Sequence, residues 1–461
     1  MGQKRLVITG TGSGVGKTTI TIGIMCALKK KGLQVQGFKC GPDYIDPSYH
    51  TAVTGRQSRN LDSWMLNHET VKDILKVASE NSDISIIEGV MGFYDGKSPT
   101  SDIGSTAEIS LVTESPVLLV VNCASMARSV AAIVKGFQTL NEKVRIVGVI
   151  ANRVGSVGHY KLVKAAIEQE CQIPVVGYLQ KNDQLSIPER HLGLIPSIER
   201  GELDDFFEQL ASYIEESIDL DQILSLAEAS ELTIDNDSSV FKRKQQPPVR
   251  IAVAKDAAFN FYYEENFRLL ENYGVKLHYF SPLKGEKLPD DIDGLYIGGG
   301  FPEEFASELA AKTDVKLSIK TAIDQGLPTL AECGGFMYLT EQLKTTDGQV
   351  FPMVGVISGG VEMQTKRAAL GYREVSGLDG NYLLPNGLKA RGHEFHYSTF
   401  HPKVDLQAAY ETKGMRGVKQ EGVIEKKVVA GYTHLHFASC PELVQNWYEE
   451  CLRFQRSKRR N

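Results

Sequence analysis

Residues 6–19 read LVITGTGSGVGKTT, and the order of residue types in this stretch decides the fold. Leu6–Thr9 is a short apolar run of strand character. Glycines alternate with small residues through position 16, and a helical run follows over Thr18–Lys31. Glycine lets the backbone curl until several N–H groups point at one anion, and the start of the next helix adds a partial positive charge. Strand, glycine loop and helix in this order make a phosphate cradle. Its expected nucleotide-binding residues are Thr11, Gly12, Ser13, Gly14, Val15, Gly16, Lys17, Thr18 and Thr19. Lys17 is expected to reach the outer phosphates of ATP, and Thr18 to hold Mg²⁺. The usual spacing puts glycine where this chain has Thr11, so the loop is a variant.

Outward from the loop, Val35–Lys39, Ile84–Glu88, Val117–Val121 and Ile146–Ile150 are runs of the kind buried in parallel sheets. Helical-period segments such as Thr70–Glu80 and Ala127–Leu140 lie between them. This alternation predicts a doubly wound α/β sheet with helices on both faces. Two acidic clusters belong to the same crevice. Residues 39–47 read KCGPDYIDP, and residues 84–96 read ISIIEGVMGFYDG. Glu88 ends an apolar strand at the edge where such sheets bind ligands, so it is a metal candidate together with Thr18 and Asp46. Lys39, Asp43, Tyr44 and Asp95 are substrate candidates. Ordinary turn and cap roles explain Asp43, Asp46 and Asp95 equally well.

The chain has 461 residues, enough for two to four domains at roughly 100–200 residues each. Hydrophobic residues are 42% and charged residues 23%, the usage of an ordinary globular protein, which excludes a disordered or collagen-like chain. The net charge of −6 gives no case for a nucleic-acid partner. Apolar runs are far shorter than the ~20 residues of a membrane span. The N-terminal apolar run is too short for a signal peptide, and Leu6 stands where a myristoylation signal needs Ser or Thr. The cysteines at 26, 40, 123, 171, 333, 440 and 451 form no C-x-x-C pair, which argues against a disulfide scaffold or a zinc site and for a reducing cytoplasm.

Leu203–Leu226 reads as one or two acidic helices. The polar stretch Thr233–Ser239 and the segment FKRKQQPP at 241–248 follow. A first domain over 1–235, a linker over 236–248 and a second domain over 249–461 are expected. The basic cluster is read as a solvated linker face, and the tail Arg453–Arg460 as a solvated end. The second domain is again α/β. Its expected elements are a strand at Arg250–Ala254, a helix at Tyr263–Tyr273, strands at Leu277–Phe280 and Gly294–Ile297, a helix at Phe305–Gln325, and a strand ending at Glu332.

Residues 329–338 read TLAECGGFMY. An apolar strand stops at a cysteine, two glycines follow, and a helical run begins. This is the layout of a nucleophile elbow, in which small neighbours permit a sharp turn that exposes the side chain. A helix N-terminus is expected to lower the Cys333 thiol pKa. The Gly334 N–H is placed to face a developing oxyanion, and Gly299 and Gly300 in YIGGGFPE are candidates for a second donor. A cysteine nucleophile needs a base. Residues 430–437 read AGYTHLHF, a strand-like stretch in which His434 and His436 share a face. One serves as base and the other as its orienter. His393 and Glu394 of RGHEFH at 391–396 are further candidates for shaping the pocket. Cys26, Cys123 and Cys171 read as structural.

Taken together, these stretches resemble the cobyrinic acid a,c-diamide synthase family, glutamine-dependent amidotransferases of corrinoid biosynthesis. The resemblance spans nearly the whole chain. It is carried by TGTGSGVGKTT, KCGPDYIDP, IIEGVMGFYDG, RHLGL at 190–194, YIGGGFPE, AECGGFMYL, ALGYRE at 369–374, RGHEFHYS and YTHLHF, in that order. It implies an N-terminal domain similar to dethiobiotin synthetase and a C-terminal class I-type glutaminase domain. Cys333 matches the nucleophile. The related cobyric acid synthases carry the base in Tyr-x-His, which matches Tyr432-Thr433-His434 and favours His434 over His436. Many class I glutaminases have His-x-Glu; His436 stands at the acid's place, which favours a Cys–His pair.

The implied chemistry has two halves. Ammonia is released from L-glutamine, while ATP with Mg²⁺ activates the a and c acetate carboxylates of a tetrapyrrole polycarboxylate as acyl phosphates. A shielded ammonia path between the domains is expected, and a homodimer stays open. Ni-sirohydrochlorin and hydrogenobyrinic acid are alternative substrates. A P-loop nucleotide switch with a vestigial glutaminase domain is the non-enzymatic alternative.

Overall fold

The apolar runs of the N-terminal half become the strands of one parallel sheet. The computed structural model describes residues 4–181, 189–190, 193–199, 203–233 and 239–459. Gly2, part of the 190–194 motif, residues 234–238 of the linker region and Arg460 lie outside the described residues. The chain divides into two compact units, Met1–Ser239 and Val240–Asn461.

In the first unit the strands are β1 (Lys4–Gly10), β2 (Val35–Cys40), β3 (Arg59–Leu61), β4 (Ile84–Glu88), β5 (Val117–Asn122), β6 (Ile146–Asn152) and β7 (Val175–Leu179). Their order across the sheet is β3-β2-β4-β1-β5-β6-β7, with all neighbours parallel. The chain runs out to one edge through β2 and β3, returns through β4, and builds the other edge from β5 onward. The reversal beside β1 opens a crevice at the strand ends, where ligands bind in open α/β sheets. Register delivers Lys39 and Ile8 to either side of Glu88 at that edge.

The helix expected over Thr18–Lys31 spans Lys17–Lys30. Every residue from Ile20 to Leu28 is buried, so it is apolar around its whole circumference. The reason is a second helix, Asp204–Ser217, that covers its outer side. At Gly23 a β-carbon would stand 2.6 Å from the Ile214 side chain, so only glycine allows this approach. The acidic stretch resolves into two helices, Asp204–Ser217 and Leu220–Leu226, the second capped by the Asp219 carboxylate, which accepts from the Gln222 N–H.

In the second unit a six-stranded sheet has the order Val275–Phe280, Val249–Ala254, Gly294–Ile297, Thr329–Glu332, Val428–Gly431, Val423–Glu425. All its pairings are parallel except the last. Residues 340–421 add further strands in two mostly antiparallel sheets.

Two expectations are corrected. Phe305–Gln325 is not one helix but two, Ala306–Ala311 and Thr313–Asp324. Leu309 and Val315 are both buried, yet six residues at about 100° each would put them about 120° apart on one continuous helix. The break at Lys312 brings both onto the core side. Likewise AGYTHLHF is not one strand. Val428–Gly431 pairs with Thr329–Glu332 in the central sheet, whereas His434–Leu435 pairs with Lys389–His396 in another. The chain changes sheets at the residues that carry the candidate base.

Candidate active sites

The glycine loop of the first unit is held from both sides. Gly16 has φ 94°, a left-handed conformation that glycine adopts without strain. A β-carbon there would lie 2.4 Å from the Asn152 amide nitrogen. Asn152 donates to the Val15 carbonyl at 2.7 Å, and Arg153 donates to the Gly14 carbonyl at 2.9 Å. Sequence reading missed both residues. Their signal was a polar pair ending the apolar strand β6, at the ligand edge of the sheet. Lys17 folds over the loop and donates to the Gly12 carbonyl at 2.9 Å. Burial, with repulsion from Lys39, lowers its pKa to about 8.

Beneath the loop lies a buried charge cluster. The Lys39 ammonium is 2.5 Å from Asp46 Oδ2, 2.8 Å from Glu88 Oε1 and 4.0 Å from Asp43. The Thr18 hydroxyl donates to Glu88 Oε1 at 2.6 Å and to Asp46 Oδ2 at 3.3 Å. His50 Nε2 meets the other Glu88 oxygen at 2.7 Å, and its Nδ1 faces Ser58. His50 was not anticipated, because a histidine in a helix seven residues past Asp43 has no motif to mark it. Burial alone would raise the Glu88 carboxyl, but Lys39 and His50 outweigh it and hold Glu88 far below the usual range. Burial and the neighbouring Asp43 push Asp46 up, against the pull of Lys39.

Asp43 also accepts from the N–H groups of Ile45 and Asp46 and so shapes the turn into the helix Asp46–Thr54. Asp95 closes the turn at Gly92. Tyr44 is half-buried in the same segment.

Among the described residues no group of three or more His, Cys, Asp and Glu is arranged to hold a metal alone. Mg²⁺ rarely needs one, because it takes one or two carboxylates and completes its shell with phosphate oxygens and water. Thr18, Asp46 and Glu88 bring three hard oxygen donors, a set of the kind Mg²⁺ takes, to one point beside the Lys39 ammonium that already neutralises the acids. The residues fit the ion.

In the second unit the strand Thr329–Glu332 ends at Cys333, whose φ of 48° and ψ of −103° mark the strained elbow. The Cys333 N–H donates to Gly431, and the Gly334 N–H faces the thiol. A β-carbon on Gly335 would lie 2.1 Å from the Ile297 carbonyl, so the turn needs glycine there. A β-carbon on Gly334 would lie 3.1 Å from the Gly300 nitrogen, and one on Gly299 would lie 2.2 Å from His434 Cε1. The loop Gly298–Gly300 therefore lies beside the elbow and against the histidine, bringing together Cys333, Gly334, Gly299, Gly300 and His434.

The thiol expectation is corrected in direction. Burial, with Glu303 adding to it, pushes the Cys333 pKa up, and the six-residue helix behind it does not overcome that. Burial lowers His434 to about 3, with His393 and His396 adding to the effect. Both groups are held in their neutral forms, the Cys333 thiol and the His434 imidazole.

His436 has different surroundings. It is fully buried and packs on the Tyr263 ring with centroids 4.7 Å apart. Neither of its nitrogens has a hydrogen-bond partner among the described residues, so it does not orient His434 through a hydrogen bond. The neighbours that bear on His434 come instead from RGHEFH. His393 sits opposite His434 in register, with its own pKa lowered to about 4 by burial and then Arg373. Glu394 is held by Arg373 at 2.5 Å and by His396 and Lys419 at 2.9 Å each. His396 stacks on Tyr432 with centroids 3.7 Å apart.

A P-loop unit followed by a unit with a cysteine elbow, and with a histidine against the glycine loop beside it, defines a nucleotide-dependent glutamine amidotransferase. Two family descriptions match the chain in these places: a CobQ/CobB/MinD/ParA nucleotide binding domain over 6–195, and a CobB/CobQ-like glutamine amidotransferase domain over 250–441. The chain belongs to the cobyrinate a,c-diamide synthase family, and it is a glutamine-hydrolysing carbon–nitrogen ligase. It is 64% identical to the cobyrinate a,c-diamide synthase of Priestia megaterium, over 100% of this chain and 99% of that one. It is 44% identical to the protein of the same name from Thermoplasma volcanium, over 98% of each chain. No described helix is long and apolar enough to cross a membrane.

Proposed function

We propose that the protein amidates the a and c acetate carboxylates of cobyrinic acid, using L-glutamine as nitrogen source and ATP as activator. The observation that carries this reading is the coexistence of two intact sites in a chain that matches named cobyrinate a,c-diamide synthases from end to end. A nucleotide switch with a vestigial glutaminase would have no need of a strained Cys333 beside a buried, neutral His434.

In the second unit His434 takes the thiol proton as Cys333 attacks the glutamine amide carbon. The oxyanion forms against the Gly334 N–H and the loop at Gly299 and Gly300. His434 returns the proton to the leaving nitrogen, ammonia departs, and water attacks the thioester to release glutamate. In the first unit the loop N–H groups and Lys17 hold the phosphates of ATP in line with a substrate carboxylate, which accepts the γ-phosphoryl group. Ammonia then displaces phosphate from the acyl phosphate to form the amide. Mg²⁺, when bound by Thr18, Asp46 and Glu88, supplies charge neutralisation at the phosphates. Lys39, Asp43, Tyr44 and Asp95 are proposed to meet the substrate. A shielded path for ammonia follows from its protonation and loss in bulk water. Seven free, buried cysteines suit a reducing cytoplasm.

The test is amidation of cobyrinic acid, hydrogenobyrinic acid and Ni-sirohydrochlorin by the purified chain, followed by mass spectrometry. Two mass shifts on cobyrinic acid, lost with glutamine but kept with ammonium salt in Cys333→Ser, support the reading. Preference for another tetrapyrrole reassigns the substrate. Absence of glutaminase activity with every tetrapyrrole favours the switch.

A further inference from the structure

Beyond Gly431 the chain leaves the central sheet, and buried side chains take over the role of backbone partners. Glu332 pairs with Gly431 in the last rung of that sheet. Its carboxylate, 3% exposed, reaches past the end of the ladder. One oxygen accepts from the Leu435 N–H at 2.9 Å, and the other from the Tyr296 hydroxyl at 2.8 Å. Asn266, fully buried, donates to the Leu435 carbonyl at 2.9 Å and accepts from the Phe437 N–H at 2.8 Å. Glu421 accepts from the Tyr432 N–H and the Thr433 hydroxyl. On its other side the segment pairs through His434 and Leu435 with His393 and Gly392, and the His436 N–H donates to the Arg391 carbonyl at 3.0 Å.

We infer that Glu332 is a positioning residue for the glutaminase base: covalently next to the nucleophile, it anchors the residue after His434 and so fixes the imidazole against Cys333. The inference rests on the Cys333–His434 reading above. Two features make Glu332 the decisive anchor. It is the one anchor that belongs to the elbow itself, so any shift of the nucleophile is transmitted to the base. Like Glu421 and unlike Asn266, it also offers a carboxylate, and charge-assisted acceptors bind N–H groups about twice as strongly as neutral ones. Burial raises its carboxyl to about 7, partly offset by the Leu435 N–H and the Tyr296 hydroxyl. The groups that respond to its charge are Tyr262, Tyr296, Tyr410 and Cys333, and no described cation bears on it. Ionisation therefore strengthens the anchor as pH rises through neutrality.

The experiment uses the full chain with Glu332→Ala, Glu332→Gln and Cys333→Ser. Glutamine hydrolysis is measured against pH, and amidation is driven separately by ammonium chloride. Glu332→Ala is expected to lower kcat for glutamine about 10²-fold, the scale of a misplaced catalytic group, with KM little changed and ammonium-driven amidation intact. Glu332→Gln keeps an acceptor for Leu435 and a donor for Tyr296, so kcat should recover to within about tenfold of the parent and lose its rise through pH 7. A parent-like kcat in Glu332→Ala, or equal loss of ammonium-driven amidation, overturns the inference. Should Glu332→Ala not fold, the pH profile of Glu332→Gln decides: a flattened rise supports the role and an unchanged one refutes it. Cys333→Ser separates the two levels. Residual glutaminase there refutes the Cys–His reading itself, whereas an inactive Cys333→Ser with a fully active Glu332→Ala refutes only the positioning role.

Discussion

Gly299 and His434 are packed so closely that a β-carbon on the glycine would stand 2.2 Å from the imidazole Cε1. No rotamer adjustment of an alanine methyl exists, so the histidine or the loop has to move. Gly299→Ala is expected to reduce glutamine hydrolysis by about 10²-fold, because a shift near 1 Å at a catalytic group has that effect. Ammonium-driven amidation should persist. Glutamate release and ammonium-driven amidation, measured on one preparation, check both halves.

Lys39 is the only cation within salt-bridge distance of both Asp46 and Glu88 among the described residues. Replacing it by methionine leaves two buried carboxylates to face each other. Removing one partner of a buried ion cluster costs about 3–5 kcal/mol. Lys39→Met should therefore lower the stability of the first unit by that order in urea unfolding, while glutaminase activity of the second unit survives. Parent-like unfolding would show that Asp46 simply takes up a proton at little cost.

Glu394 provides a pH signature. Burial would raise its carboxyl, but His396, Lys419 and Arg373 bring it down to about 2. A depressed folded-state value means stability that is fully present above the unfolded value near 4.5 and is lost as pH falls toward 2. The full shift corresponds to about 3 kcal/mol. Glu394→Gln should be destabilised relative to the parent at pH 7, and the gap should close as pH approaches 2. Denaturant unfolding of both proteins across that range is the measurement.

Asn152 braces the phosphate loop through the Val15 carbonyl. Asn152→Ala removes one hydrogen bond, worth about 1 kcal/mol, and frees the loop around Gly16. ATP affinity is expected to fall about tenfold with little change in glutaminase KM, as read by calorimetric titration.

Much of this was legible in the residues. LVITGTGSGVGKTT announces its strand, loop and helix because glycine spacing and β-branching act locally. TLAECGGFMY does the same for the elbow, since only small residues fit around so sharp a turn. Asp43, Asp46 and Glu88 were legible as acids at a strand edge, though not as partners of one lysine. What escaped was whatever depends on contacts distant in sequence. His50 reaches Glu88 across 38 residues and Asn152 reaches the loop across 137, and neither separation leaves a local pattern.

The two histidines of AGYTHLHF mark the boundary most clearly. The sequence by itself determined that a cysteine elbow and a histidine pair exist, because covalent order and residue type are written there. Only the tertiary structure decided that His434 meets the Gly298–Gly300 loop while His436 lies against Tyr263. Period-two alternation puts both on one face only while a strand stays in its sheet. Here the chain leaves one sheet at Gly431 and joins another at His434. That exchange is made by Glu332, Asn266 and Glu421, side chains that long-range folding brings to a backbone that has left its ladder.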